Sequence, residues 1–172
     1  MPADKAHSAG AAAFKVRYQD YAKASQGAVG VPALVTLGQA ALESGWGKHA
    51  PGNNFFGVKA KATDPENQRQ LLKTREVCSR PDVHFPEVIS VTPRPDGKFD
   101  YVVRDWFRVY VSPEDSFNQH GQFLHSNARY ASAFKHTGDP YAFARAITDA
   151  GYATDPKYFT SLSGIMHQIE AS

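Results

Sequence analysis

The sequence predicts an α+β protein, a mostly helical body carrying a small β-hairpin or β-sheet lobe beside a substrate cleft. Three observations carry this. Apolar residues recur at helical spacing on both sides of the middle of the chain. Between about residues 71 and 110 the pattern turns β-branched and aromatic. The 172 residues, 42% of them hydrophobic, suit one domain with a real core.

In chain order, residues 1–9 read as a flexible N-terminal arm and residues 10–172 as a single domain. Ala11 to Ser25 reads as a helix, with Phe14, Val16, Tyr18 and Tyr21 supplying apolar surface and Gly27 closing it. Val31 to Glu43 is the clearest helix. Pro32 suits its first position, and Val31, Leu34, Val35, Gly38, Ala41 and Leu42 fall on one face. Ser44-Gly45 breaks it, which leaves Glu43 at its C-terminal end. Gly45 to Asn54 is a glycine-rich loop, Phe55 to Lys59 a bend or strand start, and residues 62–70 are turn-like. The β lobe, about residues 71–110, holds two β-branched runs around the turn Pro93-Arg94-Pro95-Asp96-Gly97. Ser112-Pro113 caps a new helix. Asp139-Pro140 opens another that stops at Gly151. Asp155-Pro156 opens the last, whose stripe is Tyr158, Leu162, Ile165, Met166 and Ile169.

Composition removes several functions. A formal charge of +2 with no basic block is not a nucleic-acid footprint. No stretch reaches the length of a membrane span, so no membrane insertion is expected. The first thirteen residues lack the apolar core of a signal peptide. The single cysteine, Cys78, permits no internal disulfide and lacks a nucleophile signature. The seven histidines are scattered; His120 and His125 stand five apart, and no His-Glu-x-x-His helix occurs. No metal and no cofactor are expected.

Glu43, in Ala41-Leu42-Glu43-Ser44-Gly45-Trp46-Gly47, is the best candidate for chemistry. A general acid for glycoside cleavage must keep its proton near neutral pH. A helix C-terminus disfavours negative charge. Trp46 and the apolar helix face could desolvate the carboxyl, while Gly45 and Gly47 leave room for a ligand. Position alone suits an exposed, solvated glutamate as well.

The wider motif decides between these. Leu37 to Lys48, then Asn53-Asn54-Phe55-Phe56-Gly57-Val58-Lys59, Phe107-Arg108-Val109-Tyr110, and Ala150-Gly151-Tyr152-Ala153-Thr154-Asp155-Pro156 with Tyr158, resemble the glucosaminidase family of peptidoglycan hydrolases (glycoside hydrolase family 73). The similarity runs from about Gln26 to Gln168. It implies a lysozyme-like fold and hydrolysis of the β-1,4 bond after N-acetylglucosamine in the glycan strand of peptidoglycan, with Glu43 as general acid. It implies a second carboxylate on the β lobe, for which Glu76 is the first choice and Glu87 the reserve. The chain is longer between Glu76 and Phe107 than its shorter relatives. Tyr152 matches a cleft tyrosine that could orient the 2-acetamido group. Trp46, Asn54, Phe55, Phe56 and Tyr158 are candidates to line sugar subsites, with core packing at least an equal reading for Phe55 and Phe56; Tyr130 resembles a family position that is structural or at the cleft wall.

The second carboxylate could activate water for inversion, or the acetamido oxygen could attack in its place. Rival functions are a muramidase or lytic transglycosylase on the same polymer, and an inactive glycan-binding module. The site of action is expected in the periplasm or cell wall, with delivery by a larger parent protein or by flagellar or secretion machinery.

Overall fold

The computed structural model describes residues 10–172 in full and residues 2–9 only as the start of a helix; the arm expected over residues 1–9 lies outside the fully described part. The chain divides into two compact units, residues 1–56 with 111–172, and residues 57–110.

The first unit is helical. Helix α1 (Pro2–Val29) buries Ala11, Phe14, Tyr18, Ala22 and Ser25 at three- and four-residue spacing, one stripe of a helix. Two expectations for it are corrected. Val16 is 73% exposed, because it points away from that stripe. Gly27 does not close the helix: packing carries α1 on to Val29, and Gly30, at φ +87°, makes the left-handed turn that a side chain would resist.

Helix α2 (Ala33–Ser44) is the centre of this unit, with eight of its twelve residues buried. The single apolar face expected from spacing therefore understates it: Thr36, Leu37, Gln39 and Ala40 are also covered. Pro32 takes the N-cap position, at ψ 130°, and the helix begins one residue later than its expected place in the first turn. At the other end Gly45 adopts φ +57°. The Ser44 hydroxyl donates to the Ala40 carbonyl (2.5 Å) and accepts from the Gly47 N–H (2.8 Å), which holds the tight exit.

Gly38 has a packing reason. A Cβ there would stand 2.7 Å from Met166 Cγ and 3.1 Å from Leu162 Cδ1, both on the last helix and both buried. Gly38→Val is expected to lower stability by about 2–3 kcal/mol, since overfilling a dense core forces side chains off rotamer. Urea unfolding measures this; an unchanged midpoint would mean the two helices can part freely.

Helix α3 (Pro113–Ser126) starts as expected, the Ser112 side chain accepting from the Asp115 N–H (3.1 Å). A 3₁₀ helix (Ala128–His136), not foreseen, follows directly and buries Tyr130 and Ala133. Helix α4 (Pro140–Asp149) is capped by Asp139, which accepts from the N–H groups of Tyr141 and Ala142, and ends before Gly151 at φ +88°. Helix α5 (Tyr158–Glu170) buries Tyr158, Leu162, Met166 and Ile169, with Ile165 half-buried. It begins two residues beyond Asp155-Pro156, because the Asp155 carboxylate first closes a turn onto the Lys157 N–H (2.8 Å).

The second unit is an antiparallel sheet of β1 (Arg69–Cys78), β2 (Glu87–Pro93) and β3 (Phe99–Arg108), ordered β1-β3-β2. The expected turn joins β2 to β3, with Gly97 at φ +81° and Asp96 accepting from the Lys98 N–H. Central β3 buries Tyr101 and Val103, and their face carries Glu76, which pairs with Tyr101 in register, and Asp105. The unit starts at residue 57, earlier than the lobe read from residue 71, because Lys59 makes a bridge to Phe107 and residues 58–60 hydrogen-bond along the same strand.

Candidate active site

Glu43 stands in the last turn of α2. Its side chain is open to water, yet the protein around it removes enough solvent to raise its pKa above the ordinary 4.5. The two facts are compatible. Water reaches the carboxyl itself, while the protein around it displaces much of the bulk solvent. The cause is desolvation.

One turn earlier on the same face, Gln39 is fully buried. Its Nε2 donates to the Tyr158 hydroxyl oxygen (3.0 Å), and its Oε1 lies 2.8 Å from His120 Nε2. Burial pushes the His120 imidazole down to about 3, so the ring is neutral. Facing a carbonyl oxygen, its Nε2 must carry the proton and donate it. Phe56 stacks flat on the same ring at 3.8 Å.

Tyr152 joins this group. Its ring centroid is 5.5 Å from that of Tyr158, and 6.1 Å from those of Tyr130 and His120. Burial first, then the charges of Tyr158, Glu43 and Tyr130, raise the Tyr152 hydroxyl pKa well above its ordinary value. Desolvation raises Tyr158 too; the Gln39 hydrogen bond works the other way, and Glu43 and Tyr130 add to the rise. Both hydroxyls therefore stay protonated donors at any working pH. Glu43, Tyr130, Tyr152 and Tyr158 thus lie close enough for their charges to act on one another.

The other expected positions are mostly core residues. Phe55 is corrected from subsite to core: at 3% exposure its ring packs among Tyr18 and Phe117. Phe56, stacked on His120, is likewise buried. Asn54 and Tyr130 are buried as well, and Tyr130 belongs to the main apolar cluster. Trp46 sits edge-on to Phe14 at 5.7 Å. It lines a cavity of about 530 Å³ with Phe14, Arg17, Tyr18 and Lys48, and Glu43 is not among the lining residues.

On the sheet, Lys59 Nζ lies 2.5 Å from Glu76 Oε1 and 2.6 Å from Asp105 Oδ2. Desolvation pulls the Lys59 pKa down, but the hydrogen bonds from both carboxylates outweigh it and the net shift is upward. Lys59 thus stays a cation between two acids. Glu87, on edge strand β2, pairs instead with Arg104 (3.0 Å) and is the more exposed of the two candidates, 52% against 32%. Among the described residues no three His, Cys, Asp or Glu side chains gather as a metal site would require.

Gln39, His120, Lys59 and Asp105 have no role in sequence reasoning. A glutamine one turn before Glu43 on an otherwise apolar helix is a signal that could have found the first. His120 carries no such mark, since only burial distinguishes it from the other histidines.

Residues 19–171 match the glucosaminidase family, described as mannosyl-glycoprotein endo-beta-N-acetylglucosaminidase. The chain belongs to this family. Among its relatives is the peptidoglycan hydrolase FlgJ of Vibrio parahaemolyticus, 32% identical over 157 residues, or 88% of this chain and 45% of that protein. A probable N-acetylmuramidase of Lactococcus lactis is 31% identical over 86% of this chain and 31% of its own length. The chain thus spans less than half of these curated relatives. The glycoside hydrolase domain of Salmonella typhimurium FlgJ, C-terminally truncated, superposes with a TM-score of 0.69 at 30% identity, covering 94% of this chain and 99% of that one. The family expected from the motifs is therefore established, and with it the fold class of the chain.

Proposed function

We propose that this glucosaminidase hydrolyses the β-1,4 glycosidic bond after N-acetylglucosamine in the glycan strand of peptidoglycan. The observation that carries the reading is Glu43, desolvated and raised in pKa at the end of α2 beside a cluster of tyrosine hydroxyls. Family membership and the FlgJ relatives support it.

In this reading protonated Glu43 gives its proton to the glycosidic oxygen as the bond to the anomeric carbon breaks. Water supplies the hydroxyl that ends on that carbon. Two routes for its activation follow from the residues. Glu76 takes the proton of the attacking water, with Lys59, itself anchored by Asp105, holding the carboxylate in place; or the substrate's acetamido oxygen attacks first and water opens the cyclic product. Tyr152 serves either route as a donor to the acetamido group. Trp46 and Tyr158 add the proposed sugar contacts, with Asn54 and Tyr130 buried behind them in the helical unit.

Digestion of purified sacculi tests the bond assignment. New N-acetylglucosamine reducing ends are expected. N-acetylmuramic acid ends would favour a muramidase, a second reading that the Lactococcus relative's name supports; anhydro products would mark a lytic transglycosylase. Binding without release of soluble fragments would leave only a glycan-binding module.

Glu76→Gln is expected to lower the initial rate about 100-fold, in the range of a lost general base, and Glu87→Gln to leave it within about threefold, as for an exposed surface pair. The reverse order would move the second carboxylate to β2. Action in the cell wall or periplasm, and delivery by a larger parent protein or by flagellar or secretion machinery, belong to the same proposal. Among the described residues no helix is long and apolar enough to cross a membrane.

A further inference from the structure

The strongest feature outside the proposed acid is the buried polar chain behind it. His120, Gln39 and Tyr158 are at most 5% exposed, and they bond in series at 2.8 and 3.0 Å. Polar groups buried this deeply cost stability unless every member is satisfied, and the direction of each bond then matters.

The direction can be followed from one end. The amide turns Oε1 to His120, so the neutral ring donates to it from Nε2. The Gln39 NH₂ is then turned to Tyr158 and donates to its oxygen. A phenol that accepts there must send its own hydrogen elsewhere. Gln39 and Glu43 share a face of α2 one turn apart, and the Glu43 charge acts on Tyr158.

We infer that Gln39 and His120 are positioning residues that hold the Tyr158 hydroxyl as a one-way hydrogen-bond donor toward an acceptor oxygen of the sugar bound at Glu43. The inference rests on the proposed glycosidase reading. It assigns a reason for the buried Gln39–His120 pair behind Glu43: an unfixed amide could flip and turn Tyr158 inward as a donor to Gln39, leaving the substrate oxygen unmatched.

The first test needs no variant. Nitrogen NMR of the intact protein is expected to find His120 protonated on Nε2; protonation on Nδ1 would reverse the chain and overturn the inference. The second is a double-mutant cycle on kcat with sacculi as substrate, Tyr158→Phe against Gln39→Leu. Each single change is expected to lower kcat roughly tenfold, the scale of one lost hydrogen bond. The double variant should be no slower than either, because Gln39 acts only through Tyr158. Multiplicative losses, or a Tyr158→Phe enzyme with unchanged kcat, would overturn it. Glu43→Gln run alongside separates the failures. If Glu43→Gln still turns over, the glycosidase reading falls; if it is dead while Tyr158→Phe is fully active, only this inference falls. Should Gln39→Leu not fold, the tautomer and the Tyr158→Phe rate decide.

Discussion

Glu43→Gln is expected to abolish turnover, by about 10²–10⁴-fold, while the protein folds at least as well as before. Glutamine keeps the shape of the side chain but has no proton to give to a leaving oxygen. The stability sign follows from the pKa. Glu43 titrates higher in the folded protein than its ordinary 4.5, because burial disfavours the anion. The protonated form is therefore the one the fold accommodates. Its contribution is fully present below about pH 4.5 and is lost as pH rises through the raised folded value. At pH 7 the ionised carboxyl costs stability that glutamine does not. The variant should show a higher urea midpoint than the parent at pH 7, and the two should converge in acid. The rate has the same origin: kcat/KM should fall as pH rises past the raised Glu43 value, since only the acid form donates. A Glu43→Gln protein that still clears sacculi at the parent rate would end the assignment, and one less stable at pH 7 would contradict the desolvation.

Phe117→Ala is expected to cost about 3–5 kcal/mol, a large share of the roughly 5–15 kcal/mol that holds a domain of this size. Phe117 is fully buried, and its ring meets four others: Tyr18 at 5.9 Å, Tyr21 at 6.0 Å, Phe55 at 5.4 Å and Phe56 at 5.4 Å. It ties α3 to α1 and to the Asn54–Phe56 turn. One turn later Gly121 lets α3 come close to Ser25 and Val29, where a Cβ would collide, so the helices cannot slide together to fill the hole. Urea unfolding should show a lower midpoint with an unchanged slope. Phe117→Leu, which fills most of the volume, should cost about half as much and retain kcat. A cost below about 1 kcal/mol for the alanine variant would mean the cluster relaxes and is not the joint between these helices.

Much of the chain could be read without coordinates because the signals are local. Pro113 after Ser112, Pro140 after Asp139, and the glycine at position 151 are chemical statements about one or two residues, and the structure places helix ends at each. The Pro93–Gly97 turn belongs to the same class. The short motifs around Glu43 and Tyr152 carried the family, since each is contiguous. What failed was whatever depended on distant packing. Gly27 looks like a stop, but the burial of Ala22 and Ser25 carries the helix past it. Phe55 could face sugar or core with equal right until Phe117, sixty-two residues on, claims it.

The candidate site divides along the same line. Sequence by itself determined the family, the α+β class, and a glutamate at a helix end, because these live in motif order and in periodicity. It also named Tyr152 and Tyr158 as cleft candidates, without their partners in the protein. Only the tertiary structure decided that Gln39, His120 and Tyr158 form one chain, and that Lys59 links Glu76 to Asp105. Those partners are 17 to 119 residues apart along the chain. A hydrogen bond reads a distance of about 3 Å and an orientation, and neither is written in any local run of residues. Burial is likewise a property of everything packed around a group, and it is burial that raises Glu43 and silences His120.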